Sequence, residues 1–498
     1  MSLPLNLRVR EANQAPVRQD RSFVLYWMIA TRRAVHNFAL DRAVDWASRL
    51  QLPLVVFEAL RVGYPCASDR LHRFVIEGMR DNAAAFARTP AVYYPYVEPE
   101  PGNGSGLLEA LAARAALVVT DDFPCFFLPH MVTSAAARLA VRVEAVDSNG
   151  LLPVRLAQRA YPAAVHFRRH VQKHIRVALK EGPRESPFGE QPLRRLSTLD
   201  VSVTSRWPSA AQALLDGSDA ALARLPIDHS VQPVSMRGGS VAAAERLDRF
   251  LSYVGSYHED HNHPDADRSS RLSPYLHFGH ISPHEIFARV VRRERWSLSR
   301  LGTVNGAREG FWGLSQGAEA FLDQLLTWRE LALNTCTYRP DDYDTFAGLP
   351  GWAQETLLAH ATDKRSFVYT EQEFAAATTH DPLWNAAQRQ LREEGWMHNY
   401  LRMLWGKKIL EWSAGPEEAL GIMRRIMDRW ALDGRDPNSY AGYAWTLGRY
   451  DRPWPERAIY GSVRSMSSVN TRKKVRVEAL LNRYGDGTGP SRQGALLD

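Results

Sequence analysis

The sequence predicts two architectures in one chain: an N-terminal α/β domain with a doubly wound parallel sheet, and a C-terminal domain made of helices. Apolar runs of strand length alternate with helical patterns up to about residue 180, whereas little strand pattern appears beyond residue 240. The chain has 498 residues, of which 45% are hydrophobic, so each half can bury its own core. That apolar fraction excludes a mainly disordered protein.

The N-terminal elements follow one another in a strand–helix order. Phe23–Ala30 is a near-continuous apolar run, typical of a strand buried on both faces. Asn37–Leu50 carries apolar residues at helical spacing, and Leu54–Phe57 is a second buried strand. Two further strands are expected at Ala116–Thr120 and Val141–Val146. This alternation favours a parallel sheet.

Acidic residues follow two of these strands, at Asp121 and at Asp147. Parallel sheets bind ligands at the carboxyl ends of their strands, which is where these acidic residues stand. No GxGxxG motif is present in this half, and the glycines of Gly102–Gly106 have the wrong spacing for one. We therefore interpret Gly102–Gly106 as a loop.

The sequence predicts four segments. They are the α/β domain at residues 1–180, a proline- and glycine-rich connector with short helices at 181–240, a helical domain at 241–485 and a flexible tail at 486–498. Helices are expected at 241–254, 283–295, 317–335, 352–361, 383–413 and 416–430.

The net charge, the cysteine content and the lengths of the apolar runs limit which partners and which cellular compartment the sequence predicts. The net charge of +7 permits an anionic partner without demanding one. Cys66, Cys125 and Cys336 are too few and too scattered for a disulfide framework or a CxxC metal site. The apolar runs are shorter than the roughly 20 residues of a membrane span, and the first residues do not resemble a secretory signal. We expect a cytoplasmic protein with no membrane partner.

Tryptophan is abundant, with 14 residues of which 11 lie beyond residue 290. In the segment Trp396–Trp412, Trp405 and Trp412 are seven residues apart and so lie on nearly one face of a helix, about 10.5 Å apart along its axis. They are either part of a core stripe or a relay of oxidisable indoles that serves a redox cofactor. Spacing alone does not separate the two interpretations.

Two polar patterns are compatible with a nucleotide-like cofactor. Asp433 is either a helix cap or the partner of a buried cation such as Arg402, and both side chains suit the polar edge of a heterocycle. The hydroxyls of Ser269–Tyr275 precede a helix, where they would hold a phosphate or simply cap the helix.

The histidines do not predict a metal centre. His258, His261 and His263 share one loop, but no cysteine or second histidine pair stands at a recognised spacing. His277, His280 and His284 lack the HExxH order of a zinc hydrolase. We expect no metal site.

The C-terminal region interleaves basic and aromatic residues. This pattern suits a phosphate backbone with base stacking, and it equally suits a solvated basic surface. The residues are Arg449, Arg452, Arg457, Arg464, Arg472, Lys473, Lys474 and Arg476, with Tyr450, Trp454 and Tyr460 among them.

Taken together, these segments resemble the photolyase/cryptochrome family, and within it the class II cyclobutane pyrimidine dimer photolyases. Six motifs occur in family order, and the N-terminal half matches more loosely through Val24–Met28 and Ala163–His174. The motifs are Leu272–Gly279, Phe321–Leu331, His380–Gln388, Met397–Trp412, Leu432–Trp445 and Arg449–Ser465.

The resemblance implies an antenna domain at 1–180 and a helical FAD- and DNA-binding domain at 241–485. It implies a carbon–carbon lyase in which light excites reduced FAD, an electron passes to a pyrimidine dimer flipped out of UV-damaged DNA, and the cyclobutane ring splits. It also implies a monomer. The antenna chromophore is left open between a deazaflavin, a folate or none.

The resemblance also assigns roles to individual residues. Ser270, Leu272 and Ser273 are expected near the flavin phosphates, and Arg402 and Asp433 beside the isoalloxazine. The photoreduction chain would run from Trp405 through Trp384 to Trp412 at the surface. Trp328 and Trp445 would stack around the flipped dimer with Met403 nearby, and Arg449, Arg452, Arg464 and His261 would contact DNA.

Three positions depart from the family pattern. Gln324 stands where dimer-repairing enzymes have a glutamate, and an amide cannot supply a proton to a developing base anion. Met427 replaces an asparagine that faces the flavin N5, and His261 stands near the position of an arginine that props open the duplex. The substrate side is thus altered while the flavin motifs are intact.

Three functions follow from this pattern. The first is light-driven repair of cyclobutane pyrimidine dimers, favoured by Trp328, Trp445, Met403 and the basic C-terminal region. The alternative is a cryptochrome-like blue-light photoreceptor with weak or no repair, favoured by Gln324, Met427 and His261. A (6-4) photoproduct enzyme has less support, because the usual paired histidines are not evident in Trp396–Trp405.

Overall fold

The computed structural model describes residues 7–189 and 193–485, so the expected flexible tail at 486–498 lies outside the described residues. Two compact units are present. The first holds the described residues up to Gly255, with Ser270–Pro340 and Asp436–Asn438. The second holds Ser256–Ser269, Asp341–Arg435 and the described residues from Ser439 onward. The units interleave along the chain, and the domain boundaries expected from the sequence stay a prediction.

A six-stranded sheet organises the first unit, in the order β1-β6-β5-β2-β3-β4. The strand β1 pairs antiparallel with β6, and every other pairing in the sheet is parallel. The predicted fold class is therefore confirmed. The strands are β1 Val9–Glu11, β2 Phe23–Met28, β3 Leu54–Leu60, β4 Val92–Val97, β5 Ala115–Asp121 and β6 Val143–Val146.

Burial on both faces explains the apolar sequence of the central strands. Every residue of β2 is buried, and Val24, Tyr26 and Met28 pack in one core cluster with the helix Phe38–Leu50. That helix begins where Asn37 accepts hydrogen bonds from the N–H groups of residues 39 and 40. A strand with no exposed face has no need of the polar alternation seen in half-exposed sheets.

Asp121, the acidic residue that ends β5, is hydrogen-bonded to groups of the protein itself. The Asp121 carboxylate accepts hydrogen bonds from the backbone N–H groups of Ile29, Ala30 and Thr31 and from the Tyr26 hydroxyl. All of these groups are buried. Asp121 thus fixes the loop after β2, which accounts for an acidic residue at this sheet edge without a ligand.

Helices supply the rest of both units, and residues 241–485 are largely helical as predicted. Those starting in the first unit are Phe38–Leu50, Asp69–Phe86, Leu107–Ala112, Leu128–Arg138, Ala164–Ala178, Val201–Arg206, Gln212–Leu215, Asp219–Leu222, Gly239–Leu251, Ser273–His277, Pro283–Arg293, Gln316–Leu322, Arg329–Tyr338 and Pro437–Thr446. Those of the second are Tyr257–Asp260, Gly351–Ala359, Glu371–Ala376, Pro382–Glu394, Asn399–Trp412, Pro416–Trp430, Ser468–Lys474 and Glu478–Tyr484. Within the described ranges, none is long and apolar enough to cross a bilayer.

The single helix expected at 383–413 is wrong, because two helices occupy this segment. Gly395 ends the first helix with a left-handed φ of 65°, a conformation that glycine adopts without strain. His398 begins the second by accepting a hydrogen bond from the Tyr400 N–H at Nδ1. Trp396 and Met397 therefore lie in the connection and not on the helix that carries Trp405.

Candidate functional site

Three indoles predicted to form a relay are in contact in the second unit. Trp384 lies on the helix Pro382–Glu394, while Trp405 and Trp412 lie on Asn399–Trp412. The rings of Trp384 and Trp405 are parallel within 6°, with centroids 6.3 Å apart. Trp384 and Trp412 meet edge to face at 6.2 Å. The order of contact is Trp405, Trp384, Trp412, and their role in electron transfer stays a prediction.

Hydrogen bonds fix the first two rings. Trp384 Nε1 donates to the backbone carbonyl of Trp405 at 3.0 Å, and Trp405 Nε1 donates to Gln388 Oε1 at 2.8 Å. Gln388 is fully buried, and sequence reasoning did not single it out although it closes the motif His380–Gln388. A buried amide aimed at an indole N–H sets the ring orientation, because leaving that N–H unpaired would be costly.

The surface position expected for Trp412 is wrong. Its residue exposure is only 3%, and its ring is covered by Tyr369 and His380 at centroid distances of 5.9 and 4.8 Å. The Lys408 ammonium lies 5.2 Å from the same ring. Helical spacing places a residue on a face of its helix but does not say which neighbours cover that face.

Arg402 and Asp433 form an ion pair, which decides between the two interpretations that the sequence left open for Asp433. Arg402 Nη2 lies 3.1 Å from Asp433 Oδ1, and the side chains are 15% and 6% exposed. The Ser439 hydroxyl donates to the backbone carbonyl of Asp433 at 2.7 Å, which holds the turn in place. Because the pair is buried, its two charges and their hydrogen-bonding atoms are held in fixed positions, where a bound group could contact them.

Two buried polar atoms near this pair have no partner within residues 7–189 and 193–485. They are Arg402 Nε and the hydroxyl of Tyr443. Burial, and then the negative charge of Asp428, raise the pKa of Tyr443 well above its usual value. Unsatisfied buried donors are rare in proteins, so these atoms fit a bound group with hydrogen-bond acceptors, such as the polar edge of a flavin. Met427, on the adjacent helix Pro416–Trp430, is fully buried.

The residues expected near the flavin phosphates lie in the first unit. The Leu272 N–H donates to Ser270 Oγ at 3.4 Å, and Arg246 Nε donates to the Ser270 carbonyl at 2.8 Å. Ser273 is the first residue of the short helix Ser273–His277. This segment thus combines hydroxyls with the Arg246 cation, a combination compatible with an anion.

Gln324 and Trp328 share a π-helical turn in the first unit, Asp323–Trp328. Over residues 321–336, these two are the only positions that are not buried. A π turn widens the helix and is frequent at functional sites. It interrupts the continuous helix expected at 317–335 and leaves Gln324 and Trp328 as the accessible side chains of this segment.

The residues after the π turn anchor it to the β6 side of the sheet. Glu330 accepts a hydrogen bond from the Leu151 N–H at 2.7 Å, and Arg329 Nη1 donates to the carbonyl of Asn149 at 2.6 Å. Both side chains are buried, and burial raises the pKa of Glu330 to about 7. The two residues together fix the start of the helix Arg329–Tyr338.

Trp445 is flanked by cations in the second unit. It is half-buried, with Lys407 Nζ 5.0 Å and the Arg464 guanidinium carbon 5.9 Å from the ring centroid. Lys407 Nζ also donates to the Thr446 carbonyl at 2.5 Å, and burial lowers the pKa of Lys407 to about 7. Arg464 is paired with Asp451 at 3.0 Å. The arrangement is an aromatic platform beside positive charge, as stacking on a nucleobase requires.

The predicted DNA contacts are not all accessible. Arg449 is buried and its guanidinium donates to the carbonyls of Tyr343 and Gly348, so the prediction that it binds DNA is wrong: it holds a loop in place. Arg452 is exposed, with its guanidinium carbon 5.7 Å from the Trp454 ring centroid. Met403 is half-buried on the helix that carries Arg402.

His261 is held by its own segment. Its ring stacks on Tyr257 with centroids 4.7 Å apart, and Nδ1 lies 2.7 Å from the Tyr257 carbonyl. In the same segment, Asp260 is paired with Arg476 at 2.9 Å. In the described part of the chain, no group of three or more His, Cys, Asp or Glu side chains is arranged to hold a metal ion.

Comparison with curated proteins gives matches along nearly the whole chain. A deoxyribodipyrimidine photo-lyase of Methanothermobacter thermautotrophicus is 33% identical over 96% of this chain and 97% of its own length. The chain belongs to the photolyase/cryptochrome family. Members from Oryza sativa subsp. japonica and Potorous tridactylus, both named deoxyribodipyrimidine photo-lyase, are 33% and 31% identical over 92% and 94% of this chain and 87% and 82% of theirs.

Solved photolyase and cryptochrome structures share this fold. A class III photolyase from Agrobacterium tumefaciens aligns with a TM-score of 0.65 at 15% identity, over 93% of this chain and 86% of its own. A Synechocystis cryptochrome aligns with the same score and identity, over 93% and 88%. No family model matches the chain.

Proposed function

We propose that this photolyase/cryptochrome family member is a class II cyclobutane pyrimidine dimer photolyase that repairs UV-damaged DNA with FAD and blue light. The observation that carries the proposal is the contact series Trp405–Trp384–Trp412, in which Trp405 and Trp412 share a helix with Arg402 of the Arg402–Asp433 pair. An ordered path of oxidisable rings leading away from a buried ion pair suits light-driven electron transfer. The relatives named deoxyribodipyrimidine photo-lyase supply the reaction class.

The chain offers groups for each part of FAD. Arg402, Asp433 and Tyr443 would hydrogen-bond the isoalloxazine edge, and Ser270 and Ser273 would bind the phosphates. Bound FAD in its reduced form supplies, on excitation by light, the electron that opens the cyclobutane ring. The indoles carry electrons inward when the oxidised cofactor has to be reduced.

The lesion would be held by rings and amides. Trp328 and Trp445 would stack on the flipped bases, Met403 would pack beside them, and Gln324 would hydrogen-bond the pyrimidine carbonyls. Arg452 and Arg464 would bind backbone phosphates, and their contribution should weaken with salt. His261, stacked on Tyr257, would enter the space left in the duplex.

The test is repair of a thymine-dimer oligonucleotide by purified, chemically reduced protein under blue light. Intact thymines are quantified by chromatography beside a dark control and a Trp445→Ala variant. We expect light-dependent repair that Trp445→Ala reduces through weaker binding of the damaged DNA. Failure of the reduced, illuminated protein to restore thymines would refute the proposal.

A cryptochrome-like photoreceptor is the second candidate, favoured by Gln324 and by the fully buried Met427. A receptor keeps flavin binding and photoreduction but not repair. The same assay separates the two functions, because a receptor would be photoreduced without restoring thymines. An oligonucleotide with a (6-4) photoproduct, run in parallel, tests the third function.

A further inference from the structure

Trp412, the last indole of the relay, is almost fully buried, and aromatic side chains cover it. Tyr369 meets it edge to face, with ring centroids 5.9 Å apart. This distance matches the 6.2 and 6.3 Å steps within the relay. Tyr369 is half-buried, whereas the neighbouring His380 is exposed.

The Tyr369 hydroxyl is hydrogen-bonded to a group that can take its proton. It lies 2.7 Å from His380 Nδ1 and accepts a hydrogen bond from the His380 backbone N–H at 3.0 Å. When the His380 ring carries its proton on Nε2, Nδ1 is the acceptor and the Tyr369 hydroxyl donates to it. The backbone N–H of Tyr369 donates to the Trp412 carbonyl at 2.9 Å, which fixes this residue against the end of the relay.

We propose that Tyr369 is the fourth and terminal electron donor of the relay and that His380 is its proton acceptor. The inference rests on the proposed function, because the oxidant is the Trp412 indole radical cation formed when light drives an electron along the relay to the oxidised flavin. Tyr369 would then be a redox residue that the family pattern did not supply.

The step balances in electrons and protons. One electron moves from the Tyr369 ring to the Trp412 radical cation, which returns to neutral tryptophan. The phenolic proton moves along the existing hydrogen bond to His380 Nδ1, which gives an imidazolium and a neutral tyrosyl radical. The proton travels within a formed hydrogen bond of 2.7 Å, as an efficient transfer requires.

Charges around Trp412 favour this transfer. The Lys408 ammonium lies 5.2 Å from the Trp412 ring. Its positive charge repels the positive charge of a Trp412 radical cation, which disfavours that radical. Glu411, 2.6 Å from Lys408 Nζ, offsets part of this effect. Transfer to Tyr369 places the positive charge on His380, whose exposed ring water can solvate and which stacks on Phe367 at 3.7 Å.

The test is the identity of the radical that persists after illumination of the flavin-loaded, oxidised protein. Electron paramagnetic resonance spectra are recorded for protein with natural tyrosine and with ring-deuterated tyrosine, which changes no residue. The variants are Tyr369→Phe, His380→Gln and, as a matched control on the relay helix, Tyr400→Phe. Transient absorption follows the decay of the tryptophan radical in each.

We expect a tyrosyl spectrum that narrows on deuteration, is lost in Tyr369→Phe and is unchanged in Tyr400→Phe. Tyr369→Phe should leave a tryptophan radical that recombines faster, and His380→Gln should lower the tyrosyl yield. A tryptophan radical alone in the parent protein would overturn this inference and leave the relay intact. No aromatic radical at all would overturn the relay and this inference together.

Discussion

Trp384 and Trp405 are joined twice, since their rings lie parallel and Trp384 Nε1 donates to the carbonyl of Trp405 itself. One contact fixes the separation of the rings and the other fixes their rotation. A core stripe would need only apolar contact. The directional bond makes the mutual orientation of the two indoles a definite property of the fold.

Replacing Trp405 should separate the two light reactions. Trp405→Phe removes the indole at the start of the relay, so photoreduction of the oxidised flavin should fall to background. Repair by chemically reduced protein should remain mostly intact, because that reaction does not use the relay. Flavin absorbance under illumination measures photoreduction, and the recovery of intact thymines in the oligonucleotide measures repair. Equal loss of both activities would assign Trp405 a structural role.

The amide of Gln324 should limit the repair yield. Gln324→Glu restores a carboxyl group that can donate a proton to a developing base anion, so the yield per absorbed photon should rise. Gln324→Ala is the control and should lower it, since no hydrogen bond to the pyrimidine remains. A yield in Gln324→Glu that is unchanged or lower contradicts the assignment.

The Arg402–Asp433 pair should matter for stability and for cofactor retention. Asp433→Asn leaves a buried cation without its counter-charge, which costs about 3–5 kcal/mol in such pairs. Stability is measured by the midpoint of thermal unfolding, and cofactor retention by the flavin content after gel filtration. Both values should be lower in Asp433→Asn than in the parent protein. Glu371→Gln breaks the exposed pair of Glu371 with Arg425 and should cost about 1 kcal/mol or less. Similar losses in the two variants would count against a buried anchoring pair.

Glu330 should make stability depend on pH. Burial raises its pKa from 4.5 to about 7, so between these values the folded state binds more protons than the unfolded state. The free energy of unfolding should therefore decrease as the pH rises from 4.5 to 7. Urea unfolding across this range should show a weaker decrease in Glu330→Gln, while the exposed control Glu355→Gln keeps the parent slope. A parent-like slope in Glu330→Gln would refute the prediction.

Much of the fold could be predicted because the faces of a strand or helix that are buried determine where apolar residues stand in the sequence. The strand β2 is apolar throughout since both of its faces are covered. The strand β4 was not predicted because Pro95 interrupts it. A proline is tolerated there since β4 stands at the edge of the sheet, where one side of the strand has no neighbour.

The site could be predicted from the sequence where a residue type in its context has few possible structural roles. The Arg402–Asp433 pair was one of two interpretations that the sequence left open for Asp433, and it was available because a buried charge needs a counter-charge. Arg449 was misassigned because a basic residue among aromatics gives the same pattern whether it faces DNA or backbone carbonyls. Tyr369 and Gln388 act through neighbours distant in sequence, and periodicity carries no information about such contacts.

The π turn at Asp323–Trp328 makes the length of its segment as important as its composition. A π turn holds one more residue than the α-helical turn it replaces, so deleting one residue there would restore ordinary helical winding with little net rotation of the helix that follows. Arg329 and Glu330 would keep their bonds to Asn149 and Leu151, and the change would fall on the directions of Gln324 and Trp328. Substitutions at Gln324 can tune the chemistry one atom at a time, whereas insertions and deletions in this segment should be strongly selected against.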